Sequence, residues 1–269
     1  MSRLSRGGKR PSAEPFRRTG KQPGPLFAIM ETPRKRDLIL ESNRIIAPSI
    51  HVLTFRTAPN DAIEFVPGQY VTFYLSRSGN SITRSYSFFS PAGKVDRFDL
   101  LIKQVPGGFG STLLCGLAPA SHPLLKGLAP VGRFLLKPPG DRTVVFVATG
   151  TGLAPFIPML DDLRAHSSQT PTWLIFGERS LENLFYFDEM RALETAWPAF
   201  HFLPILSHPP PDESWHGGAG HVEDALRERF PDLSNSDVYL CGVPAMVNET
   251  QELALHLNCP KEHVFVERY

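Results

Sequence analysis

The sequence predicts two domains in series, an antiparallel β-barrel followed by a doubly wound α/β domain. Three observations lead there. The 269 residues suffice for two cores of ordinary size. Between residues 37 and 139, short segments rich in β-branched and aromatic residues alternate with turn residues, the texture of antiparallel strands. After Lys137-Pro138-Pro139-Gly140, apolar runs alternate with helical segments, the texture of parallel strands with crossover helices.

The elements follow in order. Residues 1–36 read as a basic, flexible tail: ten Lys and Arg face two acids, and little is available to bury before Leu26-Phe27-Ala28-Ile29-Met30. This is also the composition of an organelle-targeting segment, but no convincing amphipathic helix accompanies it. The first domain, 37–140, is expected to hold strands at 37–46, 50–57, 69–76, 84–89 and 98–103 and a short helix at 111–117. The second, 141–269, is expected to hold buried parallel strands at 143–148, 172–176, 201–206 and 238–241. Helices are expected at 153–165, 188–196, 222–229 and 244–257, and the sequence shows no internal repeat.

A formal net charge of +1 conceals an asymmetry, because outside the tail 18 basic residues face 25 acidic ones. Phosphate neutralisation needs Lys and Arg clustered on the folded part, so nucleic-acid binding is not expected. Cys115, Cys241 and Cys259 lack the close spacing of an iron–sulfur or zinc site, so no metal site is expected, only reduced thiols in a cytoplasmic setting. The apolar stretches fall well short of the ~20 residues that cross a bilayer, and membrane insertion is not expected. Nothing in the pattern requires more than a monomer.

Thr149-Gly150-Thr151-Gly152-Leu153-Ala154-Pro155 lies where the apolar strand Val144-Val145-Phe146-Val147 hands over to a helix. Glycines there let the backbone approach a pyrophosphate, and the helix start offers N–H groups to it. The alternative is a tight strand-to-helix turn without a ligand. In the first domain, Arg84-Ser85-Tyr86-Ser87 is followed by Gly107-Gly108-Phe109-Gly110-Ser111-Thr112. A guanidinium and a second run of backbone N–H groups suit another diphosphate, and the tyrosine ring offers a stacking face. A solvated Arg, a half-buried Tyr and an ordinary glycine turn would give the same residues.

In their order and spacing, Arg84-x-Tyr86-Ser87, Gly108-x-Gly110-Ser111, Gly150-Thr151-Gly152-x-x-Pro155, Cys241-Gly242-x-x-x-Met246 and the ending Val266-Glu267-Arg268-Tyr269 resemble the ferredoxin–NADP reductase family. The resemblance spans residues 37–269. It implies an FAD-binding β-barrel domain, an NAD(P)-binding α/β domain, and exchange of electrons between NAD(P)H and a one-electron carrier such as ferredoxin or flavodoxin. By the same resemblance, Arg84 pairs with the FAD pyrophosphate within the segment that includes Ser85, Tyr86 stacks on the isoalloxazine, and Ser87 lies near the flavin N5. Leu101, Ile102 and Lys103 match the strand passing the ribityl and adenosine parts, and Gly108, Gly110, Ser111 and Thr112 match the second diphosphate clamp. Gly150, Thr151, Gly152 and Pro155 match the nicotinamide-dinucleotide site, joined by Cys241, Gly242 and Met246. Glu267 matches a carboxylate near the flavin, and Tyr269 an aromatic terminus covering the flavin face. Ser87, Cys241, Glu267 and Tyr269 thus form the expected catalytic set.

The choice between NADH and NADPH stays open at this point. Arg179 in Phe176-Gly177-Glu178-Arg179 matches a nucleotide-binding Arg, whereas Ser207-His208 stands where NADP-using relatives carry Ser-Arg or Thr-Arg. An imidazole offers less to a 2′-phosphate than a guanidinium fork. Trp215-His216-Gly217-Gly218 looks more like NADH-using oxygenase reductases, and Tyr269 more like NADP-using ones. Two other functions fit the fold: a flavin-bearing electron-transfer subunit or adaptor without turnover of its own, and a ferric or quinone reductase.

Overall fold

The computed structural model describes residues 31–77, 79–119, 123–138, 140–211 and 215–269. The expected tail lies outside the described residues as far as residue 30. The first domain runs β1 (Arg34–Ala47), β2 (Ile50–Thr57), β3 (Ile63–Phe65), β4 (Tyr70–Arg77), β5 (Asn80–Ser87), β6 (Gly93–Val95), β7 (Arg97–Lys103), α1 (Phe109–Cys115) and β8 (Leu124–Val131). Six strands pair in the order β5-β4-β8-β1-β2-β7, all antiparallel. A bridge between Phe88 and Leu100 joins the two edges into a barrel. Its interior is filled by Phe55, Phe65, Phe73, Phe88 and Phe98, with Phe88 edge-on to Phe98 at 5.0 Å between centroids.

The barrel begins three residues earlier than the sequence indicates, because Arg36 is not a tail residue. Its side chain is fully buried, ion-paired to Glu31 and Asp61, and donates to the carbonyls of Ala129, Asp61 and Ala62. Strand β8 was not expected, since Leu124–Val131 contains both a Gly and a Pro. Gly127 is required there: a Cβ would lie 2.6 Å from Leu38 and 2.9 Å from Val71. Helix α1 starts two residues before the expected 111, because the Ser111 hydroxyl folds back, accepting from Val105 N–H at 3.1 Å and donating to Gly108 O at 3.3 Å.

The second domain runs β9 (Thr143–Thr149), a 3₁₀ turn (Gly150–Leu153), α2 (Phe156–His166), β10 (Thr172–Glu178), α3 (Phe187–Ala196), β11 (Phe200–Leu206), β12 (Gly218–Ala219), α4 (Val222–Arg229), β13 (Ser236–Gly242), α5 (Pro244–His256) and β14 (Val264–Arg268). All its strands are parallel, in the order β12-β11-β10-β9-β13-β14. The chain winds from β9 to one side through β10 and β11, then returns to the other through β13 and β14. The crevice between the ends of β9 and β13 is therefore the switch point, where such sheets bind ligands. Helix α2 starts three residues after the expected 153, since the glycine run takes up the tighter turn and Pro155 stands at the N-cap. Among the described residues no helix is long and apolar enough to cross a membrane.

Replacing Arg36 by Ala is expected to destabilise the protein by about 3–5 kcal/mol, the cost of leaving buried acids and carbonyls unpaired. Urea denaturation followed by circular dichroism measures it.

Candidate active site

Three groups of residues converge on the edge where the two domains meet. The first is the glycine loop. Gly152 lies against the end of β13 so closely that a Cβ would fall 2.1 Å from Cys241 O, and a Cβ on Gly242 would fall 2.5 Å from Thr149 Oγ1. These contacts seat the loop after β9 on the last residues of β13, and the Cε of Met246 from α5 packs at the same spot. Gly150 adopts φ +57, a conformation that favours glycine. Pro155 is buried beneath the loop. The Thr149 hydroxyl oxygen is buried and has no hydrogen-bond partner among the described residues. A buried polar atom beside a glycine cradle at the switch point suits a polar ligand, and a dinucleotide pyrophosphate fits it.

The second group joins the domains. Ser87 ends β5, and its hydroxyl donates to Glu267 Oε2 at 3.3 Å on β14. Glu267 lies opposite Cys241 in the β13–β14 ladder. Burial pushes the Glu267 carboxyl up to about 7, and the Ser87 hydrogen bond opposes that rise. Burial, then the charge of Glu267, holds the Cys241 thiol well above its ordinary range, which favours the neutral thiol. Tyr269 closes the group. As a residue it is 56 % exposed, yet its hydroxyl end reaches into the loop and donates to Thr149 O at 2.9 Å. The guanidinium of Arg268 is held by Asn248 and Gln251 of α5, at 2.9 Å each, which fixes the chain just before the terminal ring.

The third group lies on the barrel. Arg84 is exposed, bonded to Thr83 O at 2.7 Å, and its stem crosses Gly110, where a Cβ would fall 2.6 Å from Arg84 Cγ. The glycine thus brings β5 and α1 together. Ser85 shares a hydrogen bond with Thr72 at 2.8 Å. Tyr86 is half-buried against Phe73, its phenol pushed up to about 12 by burial and then by Cys115, with Arg84 opposing. Gly108 is the N-cap of α1, Ser111 is buried and Thr112 exposed. Leu101 and Ile102 are buried, and Lys103 emerges at the end of β7. An exposed guanidinium over a glycine helix start, with an aromatic ring two residues on, fits a dinucleotide such as FAD.

Arg179, Ser207 and His208 sit side by side at the ends of β10 and β11. Ser207 N–H donates to Glu178 O at 3.0 Å, and His208 N–H to Arg179 O at 2.8 Å. The Ser207 hydroxyl and His208 Nδ1 are 3.0 Å apart. Arg179 is exposed, whereas Arg191 is engaged by Glu194 and by Phe202 O. Arg56, one of the cations near the barrel edge, is tied to Glu41 together with Arg97. Two residues at the crevice lie inside the motif segments without a role that the motif assigns. Thr149 precedes the glycines, and only packing shows that its hydroxyl is stranded. Glu178 looks like a surface acid, but burial pushes its carboxyl up to about 7 against the opposing Lys103 ammonium and a hydrogen bond from Arg179 N–H.

Comparison with known proteins shows the two domains. Residues 37–135 match the oxidoreductase FAD-binding domain, and residues 146–252 the oxidoreductase NAD-binding domain. Ferredoxin–NADP reductase B of Sorangium cellulosum is 34 % identical over 233 residues, 84 % of this chain and 94 % of that protein. Reductase component 1 of terephthalate 1,2-dioxygenase from a Comamonas species is 34 % identical over 216 residues, 79 % of this chain but only 62 % of that protein. A ferredoxin NADP+ reductase from Neisseria gonorrhoeae, solved with bound FAD and NADP, superposes with a TM-score of 0.73 at 19 % identity, over 87 % of this chain and 98 % of that one. The Amycolatopsis cytochrome P450 reductase GcoB superposes with a TM-score of 0.78 at 27 % identity, over 88 % of this chain and 71 % of that one. The two matched domains in series, on a barrel and a parallel sheet whose shared edge carries the two candidate dinucleotide cradles, mean that the chain belongs to the ferredoxin–NADP reductase family and is an FAD- and NAD(P)-binding oxidoreductase of electron transfer.

Proposed function

We propose that the protein takes hydride from NAD(P)H at the interdomain crevice and delivers electrons singly to a separate carrier of the ferredoxin or flavodoxin type. The observation that carries the reading is the convergence of Ser87, Glu267, Cys241 and Tyr269, from both domains, on the glycine loop. Arg84 and the α1 start are the residues to hold the FAD diphosphate, and Tyr86 the ring to face its isoalloxazine. Bound there, FAD supplies the exchange of a two-electron donor for one-electron steps.

The chain's own residues do the rest. Thr149 to Gly152 bind the dinucleotide through backbone and hydroxyl groups. Tyr269 covers the loop and gives way when the nicotinamide docks. Cys241, neutral and small, sets the depth at which a ring rests on the end of β13. Ser87 and Glu267 hold a proton at the domain boundary, with a carboxyl placed to gain or lose it near pH 7. The three cysteines lie separately on α1, on β13 and after α5, so the one-electron partner is taken to be a separate molecule. A cytoplasmic monomer fits this role.

The purified protein is expected to be yellow, to bleach when NADH or NADPH is added without oxygen, and to recover colour faster with ferredoxin or flavodoxin than with ferric chelates or quinones. A colourless protein that binds no nicotinamide dinucleotide would instead be an adaptor. Gly152→Ala should cut kcat/KM for the dinucleotide about 100-fold, since the loop must shift by an ångström or more, while flavin absorbance is retained. For Ser87→Ala, steady-state kinetics against pH should show about tenfold lower kcat, with the inflection near pH 7 moved upward. The sign follows from the hydrogen bond, which favours the Glu267 carboxylate and holds its pKa down. Deleting Tyr269 should tighten NADP+ binding about tenfold in a calorimetric titration, because the ring no longer occupies the space over the glycine loop.

A further inference from the structure

The carboxyl of Glu178 has no part in the scheme above, yet it stands beside the glycine loop. Side chains alternate across a strand. On β10, Leu174 and Phe176 enter the core shared with Leu101 of the barrel, whereas Ile175 packs on the other face and a Cβ on Gly177 would meet Val222 of α4 at 2.6 Å. Glu178, the last residue of the strand, therefore follows Leu174 and Phe176 toward the barrel. Gly177 lies opposite Thr149, so the carboxyl leaves its strand next to the start of the loop. The 3₁₀ turn of that loop packs against both β7 and β10. On β7, Lys103 alternates with Leu101 and so faces the same seam, where its ammonium favours the Glu178 carboxylate. On the loop, the Tyr269 phenol donates to Thr149 O, is met by the Thr151 hydroxyl and the Gly152 N–H, and lies within reach of the Glu178 charge. The acid is thus a neighbour of the cradle itself.

A dinucleotide brings an anionic diphosphate to such a cradle. Like charges held close together disfavour each other, and the repulsion is relieved when a carboxylate binds a proton. We infer that Glu178 takes up a proton when a dinucleotide docks on the glycine loop, so that binding is tight while this carboxyl is neutral and weakens once it is ionised. The inference rests on reading the loop as the dinucleotide site. It concerns the diphosphate, which NADH and NADPH share. The sign follows from linkage: a ligand that raises the pKa of a group binds together with a proton, so affinity is full below the pKa of the free protein and falls as pH rises through it. In the free protein burial sets that value at about 7. The charged and titratable groups that face the carboxyl are Lys103 from β7, Tyr269 beyond β14 with Cys241 of β13 next to its phenol, and Arg179 and His208 at the ends of β10 and β11. Arg179 and His208 are exposed, where water and salt screen a charge.

Calorimetric titration of the FAD-loaded protein with NAD+ and with NADP+, in two buffers of different ionisation enthalpy, counts the protons taken up on binding. Wild type is expected to take up about half a proton at about pH 7.5, and to bind each ligand about tenfold more weakly at about pH 9 than at about pH 6, the effect of a one-unit rise in pKa. Glu178→Gln, neutral at every pH, should take up about half a proton fewer with either ligand and lose that slope. The 2′-phosphate of NADP+, Glu267 and His208 are present in both proteins, so the difference between them reads Glu178. Lys103→Met gives a second reading: without the ammonium the carboxylate is less favoured, and the fall in affinity should begin at higher pH. Equal proton uptake and equal slopes in wild type and E178Q overturn the inference. If E178Q does not fold, a fall in affinity that stays in place or moves to lower pH in Lys103→Met overturns it equally. A wild-type protein that binds neither dinucleotide refutes the reductase reading itself, which is a different outcome.

Discussion

One apolar core runs through both domains, and the site depends on it. Ala47, Ile50, Val52, Phe89, Leu101 and Phe134 of the barrel pack in the same cluster as Phe156, Met159, Phe185 and Tyr186 of the second domain. The Phe89 and Tyr186 rings meet edge-on at 4.8 Å, and Phe134 lies 5.9 Å from Tyr239, whose hydroxyl accepts from Lys137 N–H at 2.9 Å. Gly68 sits where a Cβ would fall 1.8 Å from Phe134 O, so the barrel backbone comes as near this seam as an unsubstituted Cα allows. Each aromatic pair contributes about 0.5–1.5 kcal/mol beyond its buried area. Together they fix Ser87, two residues before Phe89, against Glu267 on a strand 180 residues later. A hydrogen bond at that separation in sequence has value for chemistry only if the seam does not slide.

The same seam explains the electrostatics of the crevice. Excluding water from the boundary raises the carboxyls of Glu178 and Glu267 to about 7 each. In an unfolded chain they would ionise in the ordinary carboxylate range. The folded state therefore holds these protons more tightly, so the stability they contribute is fully present below that range. It is lost as pH rises through about 7. Near neutrality these two buried carboxyls therefore cost the protein stability, a pattern more common at functional sites than in structural ion pairs. Arg36 shows the contrast: its partners are satisfied from every side and it lies away from the crevice.

Much of this was legible in the sequence because the relevant signals are local. The alternation of short β-branched segments gave β1, β2, β4 and β7, and the apolar runs gave β9, β10, β11 and β13, since burial on one face or two leaves a periodic trace. The glycine loop, Arg84 to Ser87 and the terminal Tyr269 were legible by order and spacing. What stayed hidden depends on distant partners. β8 reads as a loop because its Gly127 answers to Leu38 and Val71, about 90 and 55 positions away in sequence. Strands β3, β6 and β12 are too short, at three, three and two residues, to show a period. Arg36 reads as part of a basic tail until its buried acids are in view, and Glu178 as a solvated acid until the barrel is placed over it. A side chain's type is written in the sequence, whereas its solvent is decided by the other domain.

Tyr269 shows why the terminal contact is suited to giving way. Arg268 is anchored to α5 by two hydrogen bonds, while the Tyr269 phenol donates to Thr149 O and is also met by the Thr151 hydroxyl and the Gly152 N–H. A neutral hydrogen bond of that kind contributes about 0.5–1.5 kcal/mol net. Even a few such bonds fall short of the about 8 kcal/mol that a ligand of micromolar affinity brings, so under the proposed function the ring is displaceable. In that proposed movement the anchor at Arg268 leaves Glu267 and its hydrogen bond to Ser87 undisturbed. In the proposed reductase the contact at Tyr269 and the anchor at Arg268 act together: the ring leaves for the dinucleotide while the Ser87–Glu267 hydrogen bond beside it stays in place.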